Sequence, residues 1–130
     1  PFEQDAHPDH VAASQLVQAA RFWAKLTKSD LDGDPLPPPR LLFYFSIHLR
    51  VPEPALLALD ISSHLDAKLQ ALQAYRSQLV DNQPQDRPTI IERILHRDRY
   101  WGHLLGVHAA EPIASLETLG LISLRDLVLT

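Results

Sequence analysis

The stretch "LLFYFSI", residues 41–47, decides the fold class of this chain. It is a continuous apolar and aromatic run between proline-containing segments, and its length is typical of a β-strand that is buried on both faces. The run "ALLALDI", residues 55–61, predicts a second strand of the same kind. Because helical patterns alternate with these runs, the sequence predicts an α/β fold in which helices pack on a sheet.

A helix is predicted before the first strand. Its apolar residues recur at three-and-four spacing, at Ala13, Leu16, Ala20 and Trp23. This spacing predicts a helix from about Pro8 to about Lys28, and proline suits the first helical position because the N–H it lacks has no intrahelical partner there. The segment "SDLDGDPLPPPR", residues 29–40, contains a glycine and four prolines and predicts a surface loop.

Two further helices are predicted after the second strand. Ser62 or Ser63 can cap the first of them, which covers "HLDAKLQALQAYRSQL", residues 64–79. Its apolar stripe consists of Leu65, Leu69, Leu72 and Leu79. After the polar segment 80–88, Pro88 can open a third helix that runs toward Gly106. The tail, residues 107–130, fits either a strand or a helix.

The composition narrows the classes of function. Hydrophobic residues make up 45% of the 130 residues, which predicts one globular domain. The net charge is -4 and basic residues are interspersed with acidic ones, so nucleic acid is not an expected partner. With no cysteine, any metal must be held by imidazole, carboxylate and water. No apolar run approaches the roughly 20 residues of a membrane span and no signal-peptide pattern opens the chain, so we expect a cytoplasmic protein without a membrane partner.

The motif "HPDH" places His7, Asp9 and His10 at the start of the first predicted helix. Two imidazoles three residues apart, one just outside the helix and one in its first turn, can point into the same space. There a neutral imidazole can bind a divalent metal and a protonated one can stabilise an oxyanion, while Asp9 can orient either ring. The same spacing is also typical of helix capping at a surface, and two histidines do not complete a zinc site. Both interpretations stay open on spacing alone.

Five other histidines are scattered along the chain. His48 follows the first predicted strand, at the end where α/β proteins place their ligand sites, so it is a second candidate. His64, His96 and His103 have no partner at ligand spacing in the sequence. We expect these three on solvated helix faces.

Five motifs, taken in order along the chain, resemble the second half of a known family. They are "HPDH" at 7–10, "LLFYFSIH" at 41–48, "LALDIS" at 57–62, "KLQALQAYRSQ" at 68–78 and "RDRYWGHLLGVHAAEPI" at 97–113. The chain thereby resembles the zinc-dependent deacetylases of the LmbE or PIG-L type, which remove the acetyl group from N-acetylglucosaminyl compounds. Within that family it looks like the bacillithiol-biosynthesis type, whose members deacetylate N-acetylglucosaminyl-malate.

The resemblance implies a fold, an activity and a set of roles. The fold is the C-terminal portion of a Rossmann-like, three-layer α/β domain with helices packed on a mostly parallel sheet. The activity is zinc-dependent N-deacetylation of a small-molecule sugar conjugate by a homo-oligomer, a hexamer in many members. By resemblance, His10 is a zinc ligand, His7 stabilises the oxyanion or protonates the leaving amine, and Asp9 pairs with His7 and holds it charged.

This sequence also departs from the family pattern. Ala6 stands where relatives commonly have Arg, and Ala109 and Ile113 stand where they commonly have aromatic residues. The family's first signature, an Ala-His-Pro-Asp-Asp-Glu type segment with the other zinc ligands and the catalytic base, is not in this sequence. Because the chain also begins with Pro1 and has no methionine, we expect residues 1–130 to be the C-terminal half of one LmbE-like domain, inactive alone. The alternatives are a non-catalytic remnant or oligomer-forming module of the same fold, and a metal-sensing binding domain.

Overall fold

The structure, a computed structural model, describes residues 1–47 and 57–120. Its helices and strands are, in chain order, α1 (Pro8–Ala24), β1 (Phe43–Tyr44), β2 (Leu57–Asp60), α2 (Leu65–Ala74), α3 (Ile90–Leu105) and β3 (Ala110–Ala114). Backbone contacts group the described residues into two compact units, 1–47 with Ala114–Gly120 and 57–113. The mixture of helices and strands agrees with the predicted α/β class, and the single-domain interpretation stays a prediction.

Helix α1 begins at Pro8, as the sequence predicts. It ends at Ala24, earlier than the predicted end near Lys28, because Lys25 caps the helix and its N–H bonds back to the last turn. The segment 29–40 is exposed and lacks helix and strand, which confirms the predicted loop.

The apolar stripe of α1 is not the side of the helix that is buried. Leu16 is 70% exposed and Trp23 is 54% exposed, whereas Ser14 is only 2% exposed. The spacing therefore predicts the helix correctly, but the stripe does not form the core of the part of the chain that the structure describes.

The core of the first unit is an aromatic cluster of Phe2, Phe43 and Phe45, all of which are buried. The Phe2 ring lies edge-on to Phe43 at 6.3 Å and tilted against Phe45 at 5.2 Å between ring centroids. The N–H of Phe2 also donates to the carbonyl of Tyr44 at 3.0 Å. These contacts hold the first residues of the chain against β1 and thereby position the start of α1.

The prediction that both strands are buried on two faces is wrong. Phe43 is buried, but its neighbour Tyr44 is 55% exposed. Leu59 in β2 is 56% exposed. Leu59 and its neighbour Asp60 are both exposed, so β2 is not covered on both faces, and neither is β1. Residues 55–56 of the second predicted strand lie outside the described residues.

Strands β2 and β3 pair antiparallel, with Leu57 opposite Ile113 and Asp60 opposite Ala110. The order of the three described strands in the sheet is β1-β3-β2, so β3 is the central strand. The family resemblance implies a mostly parallel sheet, and the described β2–β3 pair departs from that expectation. Mixed sheets with antiparallel members are common among α/β folds, so the class itself is unaffected.

Helix α2 begins at Leu65, after a 3₁₀ turn over Ser62–His64. The predicted serine cap is wrong, since no side chain in the described part of the chain caps this helix. The helix ends at Ala74, and a π-helical turn, Arg76–Val80, follows where the sequence predicts more α-helix. The leucines of the predicted stripe are all partly buried, at positions 65, 69, 72 and 79.

Helix α3 is the best-delimited element of the second unit. Thr89 is its N-cap and forms a capping box with Glu92, in which each side chain accepts a backbone N–H at the helix start. Gly106 ends the helix in the left-handed conformation, with φ 74°. The predicted helix is confirmed, except that Pro88 precedes the cap instead of opening the helix.

One side of α3 lies close to the backbone that leads into β3. The buried residues Ile94, Asp98 and Gly102 follow each other every four positions. A Cβ at Gly102 would lie 2.7 Å from the Ala109 backbone and 2.8 Å from the Val107 carbonyl. Only a residue without a side chain therefore allows this approach.

The ambiguous tail contains a strand in its described part, since β3 lies at Ala110–Ala114. Residues 121–130 lie outside the described residues. Within 1–47 and 57–120, no helix combines the length and the apolar character required to cross a bilayer.

Candidate functional site

The start of α1 brings His7 and His10 together, as their spacing predicts. His7 is the N-cap, with an extended backbone at φ -91° and ψ 123°, and His10 lies in the first helical turn. Their ring centroids are 4.9 Å apart and the ring planes are inclined by 30°. Two adjacent imidazoles therefore lie at the positive end of the helix dipole.

A third residue, Asp5, joins this pair. Its Oδ1 accepts the backbone N–H of His7 at 2.8 Å and lies 3.2 Å from Nδ1 of His10. Its Oδ2 accepts the hydroxyl of Ser46, which follows β1. The Asp5 side chain has no exposed surface, while that of His10 is 31% exposed. Asp5 thus connects the segment after β1 to the first turn of α1.

The charge of Asp5 is stabilised by these contacts. Burial raises the pKa of Asp5, but the hydrogen bonds from Ser46 and the His7 N–H and the contact with His10 outweigh burial, so its pKa lies below the ordinary value. The lowered pKa favours the ionised carboxylate of Asp5 beside the His10 ring.

His7 has a different arrangement. Its Nδ1 accepts the backbone N–H of Asp9 at 3.2 Å, which is a helix-capping bond. A neutral His7 ring therefore carries its proton on Nε2. The predicted pairing of the Asp9 carboxylate with His7 stays a prediction; the contact that the structure shows is made by the Asp9 backbone, and the Asp9 side chain is exposed.

His10 has the features of a metal-binding histidine. Zinc-binding histidines commonly donate their second ring N–H to a carboxylate, which fixes the tautomer and raises the basicity of the nitrogen that binds the metal. Oδ1 of Asp5 lies 3.2 Å from Nδ1 of His10, so the carboxylate is on the Nδ1 side of the ring. Within 1–47 and 57–120, no group of three histidine, aspartate or glutamate side chains is arranged to hold a metal ion. Zinc binding by His10 therefore stays a prediction.

A second polar cluster lies in the second unit. Lys68 Nζ donates to Oδ2 of Asp98 at 2.6 Å and also to Oε1 of Glu111. Asp98 is fully buried, and its Oδ1 has no hydrogen-bond partner among the described residues. Burial raises the pKa of Asp98, and the hydrogen bond from Lys68 only partly offsets this effect. This cluster links α2, α3 and β3.

The remaining candidate residues from the sequence are four other histidines and Ala6. His48 lies outside the described residues. His64, His96 and His103 are exposed, which confirms their predicted position on solvated faces. Ala6, where relatives commonly have Arg, is also exposed.

Sequence reasoning missed Asp5 and Ser46. An acidic residue two positions before a helix N-cap is a local signal for a side chain that accepts a backbone N–H, and this signal could have identified Asp5. Ser46 has no comparable signal, because its contact with Asp5 depends on how β1 packs beside the first residues of the chain. The Lys68 cluster likewise joins residues that are distant in sequence.

The chain was compared with family models and with solved structures. No protein-family model matches the chain. The chain is similar to the conserved protein TT1542 from Thermus thermophilus, with 39% sequence identity and a TM-score of 0.79 to its crystal structure. The match covers 94% of this chain and 52% of TT1542, so the chain spans about half the length of that protein.

Proposed function

We propose that these residues form part of a zinc-dependent N-deacetylase, which hydrolyses the acetamide of an N-acetylglucosamine derivative such as N-acetylglucosaminyl-malate. The observation that carries the proposal is the placement of His7 and His10 at one helix start, with the buried Asp5 carboxylate against His10. The order of the five motifs supports the same activity. The match to a protein about twice as long supports a longer chain that supplies the remaining ligands.

Each residue of the site has a chemical role in this proposal. When bound, zinc supplies Lewis-acid polarisation of the amide carbonyl and of the attacking water. His10 would hold the metal, with the Asp5 carboxylate 3.2 Å from its Nδ1. His7 presents Nε2–H to the negative charge that develops on the amide oxygen. Alternatively, a doubly protonated His7, which has given up its capping bond, passes a proton to the leaving amine and returns to the neutral ring. The carboxylate that takes the proton of the water is expected elsewhere in the longer chain.

The test uses full-length protein that contains residues 1–130, with N-acetylglucosaminyl-malate as substrate. We expect metal-dependent acetate release by the wild type and its loss in His10→Ala. We also expect His7→Ala to retain zinc but to release acetate at least about 100-fold more slowly, the typical contribution of a general acid or base. Unchanged turnover in both variants contradicts the proposal.

The second candidate is a non-catalytic module of the same fold. One observation favours it, because the capping bond from Asp9 N–H to His7 Nδ1 gives His7 a structural role. In the same assay this candidate predicts no acetate release by full-length wild type, and equal thermal stability with and without zinc.

The proposal also includes the complete fold of the domain, its assembly and its location in the cell. The described units would form the C-terminal portion of a Rossmann-like, three-layer domain, with the antiparallel β2–β3 pair as one part of a larger, mostly parallel sheet. The protein would be a cytoplasmic homo-oligomer, a hexamer by resemblance. Light scattering on full-length protein measures that oligomeric state directly.

A further inference from the structure

The last two turns of α1 border a cavity that lies outside the candidate site. Gln18, Arg21 and Lys25 follow each other at helical spacing, so they share one face of the helix. This face lines a cavity of about 300 Å³, whose other walls come from β1, the residues before it, and Leu116 and Glu117 after β3. All of these walls belong to the first compact unit. We propose that the cavity binds a small organic carboxylate with an apolar body.

The cavity is separate from the pair of histidines at the helix start. Gln18, the first lining residue along α1, comes eight residues after His10. At 1.5 Å per residue, this spacing corresponds to roughly 12 Å along the helix axis. A ligand in the cavity therefore occupies a different place from a substrate at the histidines, and the inference goes beyond the proposed function without depending on it.

Apolar walls select the body of the ligand. Phe22 of α1, Phe43 of β1 and Leu116 all line the cavity. Phe43 is buried, whereas Phe22 is 52% exposed and Leu116 is 47% exposed. An apolar group that enters between them removes this exposed surface from water, which is favourable. Sites for small molecules usually measure about 300–1,000 Å³, so this cavity suits a small ligand.

The charges around the cavity select an anionic group. Arg21 donates to both oxygens of Glu117, at 2.7 and 3.0 Å, so the charges of these two residues offset each other. Lys25 supplies a further positive charge, and its Nζ lies 4.8 Å from the centroid of the Phe22 ring. Within 1–47 and 57–120, no acidic side chain pairs with Lys25. A carboxylate in the cavity would give this ammonium group an ionic partner.

A second explanation for Lys25 requires no ligand. Lys25 is the C-cap of α1, where a cation offsets the partial negative charge of the helix end. On this explanation Lys25→Gln changes stability alone, and the cavity has no preference for an anion. Ligand binding therefore distinguishes the two explanations.

The experiment uses phenylbutyrate as the probe and phenylbutanol as its uncharged counterpart, each titrated into full-length protein and followed by saturation-transfer NMR. We expect phenylbutyrate to bind with a Kd of about 1 mM or below, and more tightly than the alcohol. Lys25→Gln should weaken phenylbutyrate binding roughly 2- to 5-fold, the range of an exposed ion pair, and should leave the alcohol unaffected. Lys28→Gln is the matched control and should bind like the wild type, because Lys28 is exposed and does not line the cavity.

A third variant tests the location of the site. Leu116→Trp enlarges a half-exposed side chain in the cavity wall and should abolish binding of both probes. If this variant does not fold, Lys25→Gln decides. The inference is overturned if phenylbutyrate does not bind, if it binds no better than the alcohol, or if its binding survives Lys25→Gln or Leu116→Trp unchanged. Acetate release should be equal in Lys25→Gln and the wild type, so failure of this inference leaves the proposed function untouched.

Discussion

At the scale of single residues, the candidate site combines structural and chemical roles in the same side chains. His7 caps α1 through Nδ1 and, as a neutral ring, carries its proton on Nε2. Asp5 accepts the His7 N–H and also lies against His10. A substitution that removes one of these side chains therefore changes stability and chemistry together, and suitable pairs of variants are needed to separate them.

Two substitutions of His7 separate its effect on stability from its proposed effect on acetate release. Asparagine is among the best N-cap residues, so His7→Asn should keep the stability of α1, whereas His7→Ala should lower the free energy of unfolding by about 0.5–2 kcal/mol. Both variants lack the imidazole, so both should lose acetate release. Urea unfolding and the acetate assay on the three proteins measure the two effects. Full activity in His7→Asn would show that capping is the whole role of His7.

Asp98 predicts a pH dependence of stability. Its folded-state pKa is raised because it is fully buried, so the folded protein retains this proton at a pH where the unfolded chain has lost it. The contribution of Asp98 to stability is therefore present below about pH 4, the ordinary carboxyl range, and is lost as the pH rises through the folded-state pKa.

Urea unfolding at a series of pH values above about 4 measures this effect. The free energy of unfolding of the wild type should fall as the pH rises. Asp98→Asn cannot ionise at this position, so its free energy of unfolding should fall less. Parallel curves for the two proteins would contradict the raised pKa.

At the scale of elements, local signals predict most helices and the positions of β1 and β2, but they misjudge how far these two strands are buried. Pro8 at the start of α1 and Gly106 at the end of α3 mark helix boundaries through backbone chemistry, which a sequence shows directly. The exposed faces of Tyr44 and Leu59 were missed, because a short apolar run does not reveal whether a second layer covers it. For the same reason the helical spacing around Leu16 predicted α1 but not which side of it is buried.

The approach of α3 to the backbone before β3 gives an element-scale prediction. A Cβ at Gly102 would lie 2.7 Å from the Ala109 backbone, closer than packed atoms allow, so Gly102→Ala must displace the helix or the β3 approach. We expect a loss of about 1–3 kcal/mol in the free energy of unfolding, the usual range for overpacking. His103→Ala, an exposed neighbour, is the control and should change stability by less than about 0.5 kcal/mol. Equal stability of both variants would show that the helix can move without cost.

At the scale of the whole molecule, the exposed apolar side of α1 supports the proposal that these residues belong to a longer protein. Leu16, Val17, Phe22 and Trp23 are each more than half exposed. TT1542 is about twice the length of the matched region. The motif order could be read from the sequence, whereas the Asp5–Ser46 contact and the Lys68 cluster required the tertiary structure.

Residues 1–130 prepared alone should therefore associate. Exposed apolar patches promote aggregation when no other part of a protein covers them. We expect size-exclusion chromatography to show large species, and Leu16→Glu with Val17→Glu to reduce them. A monodisperse wild-type preparation that melts cooperatively would contradict this prediction.

The most direct measurement of the central claim is acetate release by full-length protein after chelation and after return of Zn²⁺. The account predicts that chelated wild type releases no acetate from N-acetylglucosaminyl-malate, that Zn²⁺ restores release, and that Zn²⁺ restores none in His10→Ala. Acetate release that survives chelation, or that Zn²⁺ restores equally in His10→Ala, would contradict the assignment of His10 as a ligand in a zinc deacetylase.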